Sequence, residues 1–115
     1  MHTIDVKDFD HPSDKAEFVD HMGVKEVVML DGRPVVHSVF EPGWHWAEHA
    51  KPLVGTETCP NRHLGYCTEG HLRVMMDDGS VKEVHAGDTF YVEPGHDAEV
   101  IGDERCVIVD FGSYE

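Results

Sequence analysis

Cysteine is scarce in this chain, basic charge is scarce beside acidic charge, and long apolar runs are missing. Only three of the 115 residues are cysteines, Cys59, Cys67 and Cys106. An odd number at wide spacing excludes a disulfide framework and offers no CxxC pair, so a reducing cytoplasm is the expected compartment. Lys and Arg number 9 against 23 Asp and Glu, a formal net charge of -14. So acidic a surface repels phosphate backbones and anionic headgroups, and neither nucleic acid nor membrane is an expected partner. No uninterrupted apolar stretch is long enough for a spanning helix. The start Met1-His2-Thr3-Ile4-Asp5 lacks the basic and apolar regions of a signal peptide. Internal repeats and low-complexity segments are absent as well.

What is present suits one globular domain over residues 1–115, with 40% hydrophobic residues and enough length to bury roughly two-thirds of the unfolded surface. The front is polar. Asp14 followed by Glu17 has the spacing of a capping box and predicts one short N-terminal helix within an extension over residues 1–23. From Val24 onward, β-branched runs alternate with turn signals: Val24 to Leu30, Asp31-Gly32-Arg33-Pro34, Val35 to Phe40, then Pro42-Gly43. The rhythm continues through Leu64 to Met76, Asp77-Asp78-Gly79, Val81 to His85, Gly87-Asp88 and Thr89 to Val92. Pro94-Gly95, Ala98 to Ile101, Gly102-Asp103 and Cys106 to Phe111 complete it. Many short strands joined by tight turns predict an all-β sandwich or small barrel with its core over about residues 24–111.

The one long interval without a strand pattern runs from Ala50 to Arg62. A loop of this size in a small domain is commonly a lid or a binding segment, and its plainer reading is a solvent loop. It carries Lys51, Glu57 and Cys59, and His63 follows directly. His45 and His49 stand four apart with Trp44 and Trp46 around them, but the neighbouring strand and turn signals argue against a helical HxxxH site.

The stretch from Cys59 to Asp110, with His63 before Tyr66-Cys67-Thr68-Glu69-Gly70 and Gly87-Asp88 before Pro94-Gly95-His96-Asp97, resembles the two halves of a cupin barrel. Gly43 precedes His49 by the interval that separates a cupin's first-motif glycine from its first histidine, and the second histidine position is then Lys51, a poor metal ligand when protonated. His63 takes the place of the usual Glu. Counting back from it at the family's spacing reaches Glu57-Thr58-Cys59, which would offer Glu and Cys in place of the two histidines. In the second motif the final histidine position is Ala98, and His96 lies two residues earlier, on the same face if the strand already runs there. The resemblance covers about residues 35 to 111. It implies a double-stranded β-helix, the jelly-roll barrel of cupins, with a metal site in its mouth.

A mononuclear site needs three or four N, S or O donors converging from different strands with an open position for substrate. On the resemblance, His49, Cys59, His63 and His96 are the expected ligands of one divalent transition metal ion, Fe, Zn, Ni, Cu or Mn, with Glu57 as an additional or replacement donor. Each has a plainer role open to it: Cys59 as a small buried hydrophobe, His63 as a ring donor to a backbone carbonyl at the start of a strand, His96 as the cap of a turn through its ring. Glu57 or His63, where not ligated, is the candidate for proton transfer. Trp44, Trp46 and Lys51 are the candidate substrate contacts, although paired tryptophans also commonly fill a core. Tyr66, Phe90 and Tyr91 read as packing, Cys67 and Cys106 as core, and the remaining histidines, His71 and His85 among them, as surface.

Three functions fit these expectations. The first is a metal-dependent cupin enzyme acting on a small organic molecule, of oxygenase, isomerase, cyclase or lyase type. The second is a non-catalytic barrel that binds or senses a small ligand, and the third is a structural subunit that has lost its site. Small cupins often pair through their sheets, so the resemblance also implies a homodimer.

Overall fold

Alternating β-branched residues between glycine turns give nine strands in the computed structural model, which describes residues 2–111. They are β1 (Asp14–Glu17), β2 (Gly23–Leu30), β3 (Arg33–Phe40), β4 (His63–Glu69), β5 (His71–Met76), β6 (Val81–His85), β7 (Thr89–Val92), β8 (His96–Val100) and β9 (Cys106–Asp110). All pairings are antiparallel. A six-stranded sheet has the order β1-β2-β3-β9-β4-β7, and a three-stranded sheet the order β6-β5-β8. The buried core draws Phe40, Cys67 and Ile108 from the large sheet and Leu72, Val74, Val84, Ala98 and Val100 from the small one, so the two sheets enclose a shared interior. This is an all-β, two-sheet architecture. Neither sheet closes on itself, so the full barrel expected from the sequence is not formed by continuous pairing.

The single run expected from Leu64 to Met76 is in fact two strands in different sheets. Gly70 turns the corner between them with φ +84, and a Cβ there would lie 2.3 Å from the Arg105 carbonyl oxygen. Only glycine combines that backbone with that approach.

The short helix expected from Asp14 and Glu17 is a correction: these residues form β1, and only a 3-10 turn at Val19–His21 follows. All four side chains of β1 are exposed, so a helix here would have had no apolar stripe to bury. Pairing with the open edge of β2, from Asp14↔Val27 to Glu17↔Val24, satisfies the backbone instead. A second correction concerns the segment after Gly43. Two one-turn helices form, α1 (Trp46–His49) and α2 (Lys51–Val54), so the long interval from Ala50 begins helically. No helix among the described residues is long and apolar enough to cross a membrane.

Gly65 fixes how closely β4 approaches β9. A Cβ built on it would meet the Val109 carbonyl oxygen at 2.2 Å and the Phe90 ring at 2.9 Å. Gly65→Ala is therefore expected to destabilise the fold by about 1–3 kcal/mol through overpacking, measured as a lowered urea midpoint at unchanged slope. An unchanged midpoint would show that β4 and β9 part freely.

Candidate functional site

Alternation along three strands and one backbone bridge assembles the polar end of the interior. On β9, Cys106, Ile108 and Asp110 share the buried face, so the strand delivers one carboxylate into an otherwise apolar row. β4 lies beside it with Gly65 opposite Asp110, and its first residue, His63, points its Nδ1 at Asp110 Oδ2, 2.5 Å away. From the other sheet, β8 turns His96, Ala98 and Val100 inward. Cys59 belongs to no strand. Its N–H donates to the His96 carbonyl at 2.8 Å and its carbonyl accepts from the Gly95 N–H at 2.9 Å, which pins the loop onto the start of β8.

The ligand atoms of Cys59, His63 and His96 consequently lie within 4.8 Å of one another. Cys59 Sγ is 3.6 Å from His63 Nε2, and the two imidazoles meet edge to face with centroids 5.0 Å apart. His96 Nδ1 donates to the Glu93 carbonyl at 2.8 Å, which orients the ring and leaves Nε2 as the nitrogen available to the cluster. His63 likewise spends Nδ1 on Asp110 and turns Nε2 to the thiol.

Burial pushes the Cys59 thiol up, but the hydrogen bonds from His63 and His96, with a backbone bond at Asn61, outweigh it and hold the thiol at about 6. For His63, burial pushes down, while the Asp110 carboxylate and then Cys59 hold it at about 9. Without a metal, both shifts favour a thiolate beside an imidazolium.

One sulfur and two imidazole nitrogens, with the distal nitrogen of each ring already bonded, are the chemistry of a transition-metal site and its outer hydrogen bonds. The residues therefore fit one divalent ion. The cluster borders a cavity of about 120 Å³ whose other walls include Phe40, Trp44, Trp46, Val74, Phe90 and Ile108. A polar, cation-binding end and an apolar body are what a small organic ligand needs.

Three of the four expected ligands thus come together, and His49 does not join them. It is buried on α1, where its Nδ1 accepts from the His45 N–H at 3.0 Å. The helical turn that the sequence argued against does exist at this point, closed by His49 N–H to His45 carbonyl at 2.9 Å. It satisfies backbone groups without presenting an HxxxH pair, since His45 Nε2 turns instead to Asp97 Oδ2 at 2.8 Å.

Glu57 and Lys51 are also placed elsewhere. They pair with each other at 3.1 Å, and the Glu57 side chain is 94% exposed, outside the set of cavity-lining residues. Charged side chains on a turn keep their hydration unless a partner compensates burial, and each has its partner at the surface.

Trp44 and Trp46 both line the cavity and both pack in the core, so the two readings of the pair hold together. Trp44 packs on Phe40 in a tilted arrangement with centroids 4.1 Å apart and meets Phe18 edge-on at 5.3 Å. Phe90 packs as expected. Tyr66 and Tyr91 are exposed on the outer face of β4 and β7, a correction that follows from the same alternation that turns Gly65, Cys67 and Phe90 inward.

Asp110 is the site residue that sequence reading missed. Its signal was present as a carboxylate in the inward register of Cys106 and Ile108, a position that a solvated acid would not occupy.

Among proteins of curated function, none matches the chain significantly. Solved structures do. KdgF from Halomonas sp. superposes with a TM-score of 0.62 at 18% identity, covering 100% of this chain and 96% of that one. A sugar phosphate isomerase from a cupin superfamily, from Silicibacter pomeroyi, gives 0.63 at 15% identity, covering 94% and 74%. A protein of unknown function from Acinetobacter sp. gives 0.61 at 17% identity, covering 88% and 90%. At these identities the likeness is one of fold. The profile of the cupin domain matches residues 53–112, more than half of the sequence and nearly all of the cluster-bearing region. By that match and by its two-sheet architecture, this chain belongs to the cupin-domain family.

Proposed function

We propose that the protein is a metal-dependent cupin acting on a small organic molecule held in the cavity, with Cys59, His63 and His96 as ligands of one divalent transition metal. The observation that carries this reading is the convergence of the three donor atoms within 4.8 Å while Asp110 and the Glu93 carbonyl occupy the outer nitrogens of both imidazoles. When bound, the ion would supply Lewis acidity or a redox centre. The chain's own contributions are separate. Asp110 holds the His63 ring and raises its basicity, Trp44 and Trp46 exclude water from the apolar part of the ligand, and the Gly95–Cys59 backbone pair keeps the sulfur at the cavity wall. Residues 1–115 are taken as one domain with a jelly-roll core, working as a cytoplasmic homodimer.

Elemental analysis of protein purified without chelator or affinity metal tests this directly. Wild type is expected to carry close to one equivalent of Fe, Zn, Ni, Cu or Mn, and His63→Ala to lose it. No metal in either, with none gained on adding these ions, would remove the proposal. Oxygen uptake by loaded protein then separates redox from Lewis-acid chemistry. Light scattering behind size exclusion checks the dimer, which a monomer at micromolar concentration would overturn.

A second reading has an observation of its own. Cys59, His63 and Asp110 also stand in line as nucleophile, base and orienting carboxylate, at 3.6 and 2.5 Å. In that reading the thiolate attacks an activated acyl carbon, the imidazolium protonates the leaving group, and water later releases the acid from the thioester. Mass spectrometry of metal-free protein after an activated ester decides it: an acyl adduct on Cys59 supports it, and an unmodified Cys59 removes it.

A further inference from the structure

On the outer face of the small sheet, on the opposite side from Leu72 and Val84, which line the cavity, a second group of donors is brought together by strand pairing. His71 on β5 lies directly across from His85 on β6, and Glu83 sits two residues before His85 on the same face. The His71 and His85 rings stack with centroids 4.1 Å apart at 26°, and His71 Nε2 is 2.6 Å from Glu83 Oε1. Donor atoms of all three lie within 4.8 Å of one another.

We propose that His71, Glu83 and His85 form a second divalent-metal site, independent of the inner cluster, that takes Zn(II) or a similar imidazole-binding ion and clips the edge strand β6 to β5. Two imidazoles and one carboxylate are a complete set of protein ligands for zinc with a position left to water. Directly opposed residues on an antiparallel pair hold their Cβ atoms only ~5 Å apart, so short side-chain torsions suffice to close the donors on an ion. Without an ion, His71 Nε2–H donates to Glu83 Oε1, and the metal would take the place of that hydrogen.

The surrounding charges leave room for this exchange. Arg73, across from Glu83, approaches it only to 3.9 Å and is shared with Glu99 at 3.3 Å. Asp88 lies 3.6 Å from His85 Nδ1 and accepts the His85 N–H, which holds that residue's backbone in place. All three ligands remain solvent-accessible, so a dissolved ion reaches them without a conformational change.

Equilibrium dialysis with Zn(II), paired with Co(II) spectra, tests the site on the 115-residue protein. Wild type is expected to bind two equivalents. One gives a thiolate-to-cobalt charge-transfer band and is lost in Cys59→Ser; the other gives none and is lost in His71→Asn/His85→Asn. Each single substitution should weaken the second equivalent by at least about tenfold. These residues lie on a solvent face, and an unchanged circular dichroism spectrum would show that the double variant folds. Retention of both equivalents by the double variant overturns the outer site. A wild type with one equivalent that carries the charge-transfer band also overturns it while leaving the inner centre standing. One equivalent without that band, lost in the double variant, does the reverse.

Discussion

Asp110→Asn is expected to lower affinity for the inner metal by about 10–100-fold without removing a ligand. The Asn amide oxygen can still accept from His63 Nδ1, but it brings no negative charge to a ring that, against burial, the Asp110 carboxylate and Cys59 together hold at about 9. A less basic imidazole donates less to a metal through Nε2. Competition titration of Zn(II) against a chelator measures the change, and an affinity within twofold of wild type would show that Asp110 serves packing alone.

The same substitution has a metal-free signature whose sign is fixed by linkage. The His63 proton is bound more tightly in the folded protein than at its ordinary 6.5, so its contribution to stability is complete below about pH 6.5 and is lost as pH rises through about 9. Cys59 runs the opposite way. Its pKa is lowered from 9.0 to about 6, so its contribution is present above about pH 9 and is lost as pH falls through about 6. Urea unfolding in a Cys59→Ser background isolates the histidine. There, stability of the Asp110-containing protein should decline as pH rises above about 6.5, over a narrower window than in wild type because the Cys59 contribution to the His63 shift is gone, and adding Asp110→Asn should flatten that decline.

The second large effect concerns the thiol itself. In metal-free wild type, Cys59 should titrate near pH 6, and His63→Asn should raise it toward its ordinary 9.0, since burial is then opposed only by His96 and the backbone bond at Asn61. At pH 7 the thiolate population falls by up to about 100-fold, the limit set by a complete return to 9.0. Ultraviolet thiolate absorbance is the right measurement. Alkylation rate alone would understate the change, because the less acidic thiolate is the stronger nucleophile. Cys67 and Cys106 do not interfere, as both are fully buried and burial pushes both thiols up. A Cys59 titration unchanged by His63→Asn would break the link between the two side chains on which both readings of the site depend.

Strand content was legible from Val24 to Asp110 because β-branched alternation and glycine turns are local signals that a sheet reads directly. The break at Gly70 was not, since a corner between sheets and a turn within one use the same residue. At Asp14–Glu17 a local capping pattern pointed to helix and lost to a free sheet edge, a partner that sequence order does not reveal. Family spacing identified His63 and placed His96 on the inward face, and counting back from His63 reached Cys59. The same spacing proposed His49, which one turn of helix turned toward His45 instead.

By itself, then, the sequence determined an acidic, all-β chain of cupin character and named three side chains of its inner cluster, because periodicity and motif spacing are written along the backbone. Only the tertiary structure decided which donors meet. Asp110 reaches His63 across 47 positions because β4 and β9 are neighbours, and Cys59 reaches His96 through two backbone hydrogen bonds between a loop and a strand. His71, Glu83 and His85 share a face because β5 and β6 pair in one register. Contacts between strands depend on pairing and register, which arise from the burial of both sheets together and leave no mark in the spacing of a single segment.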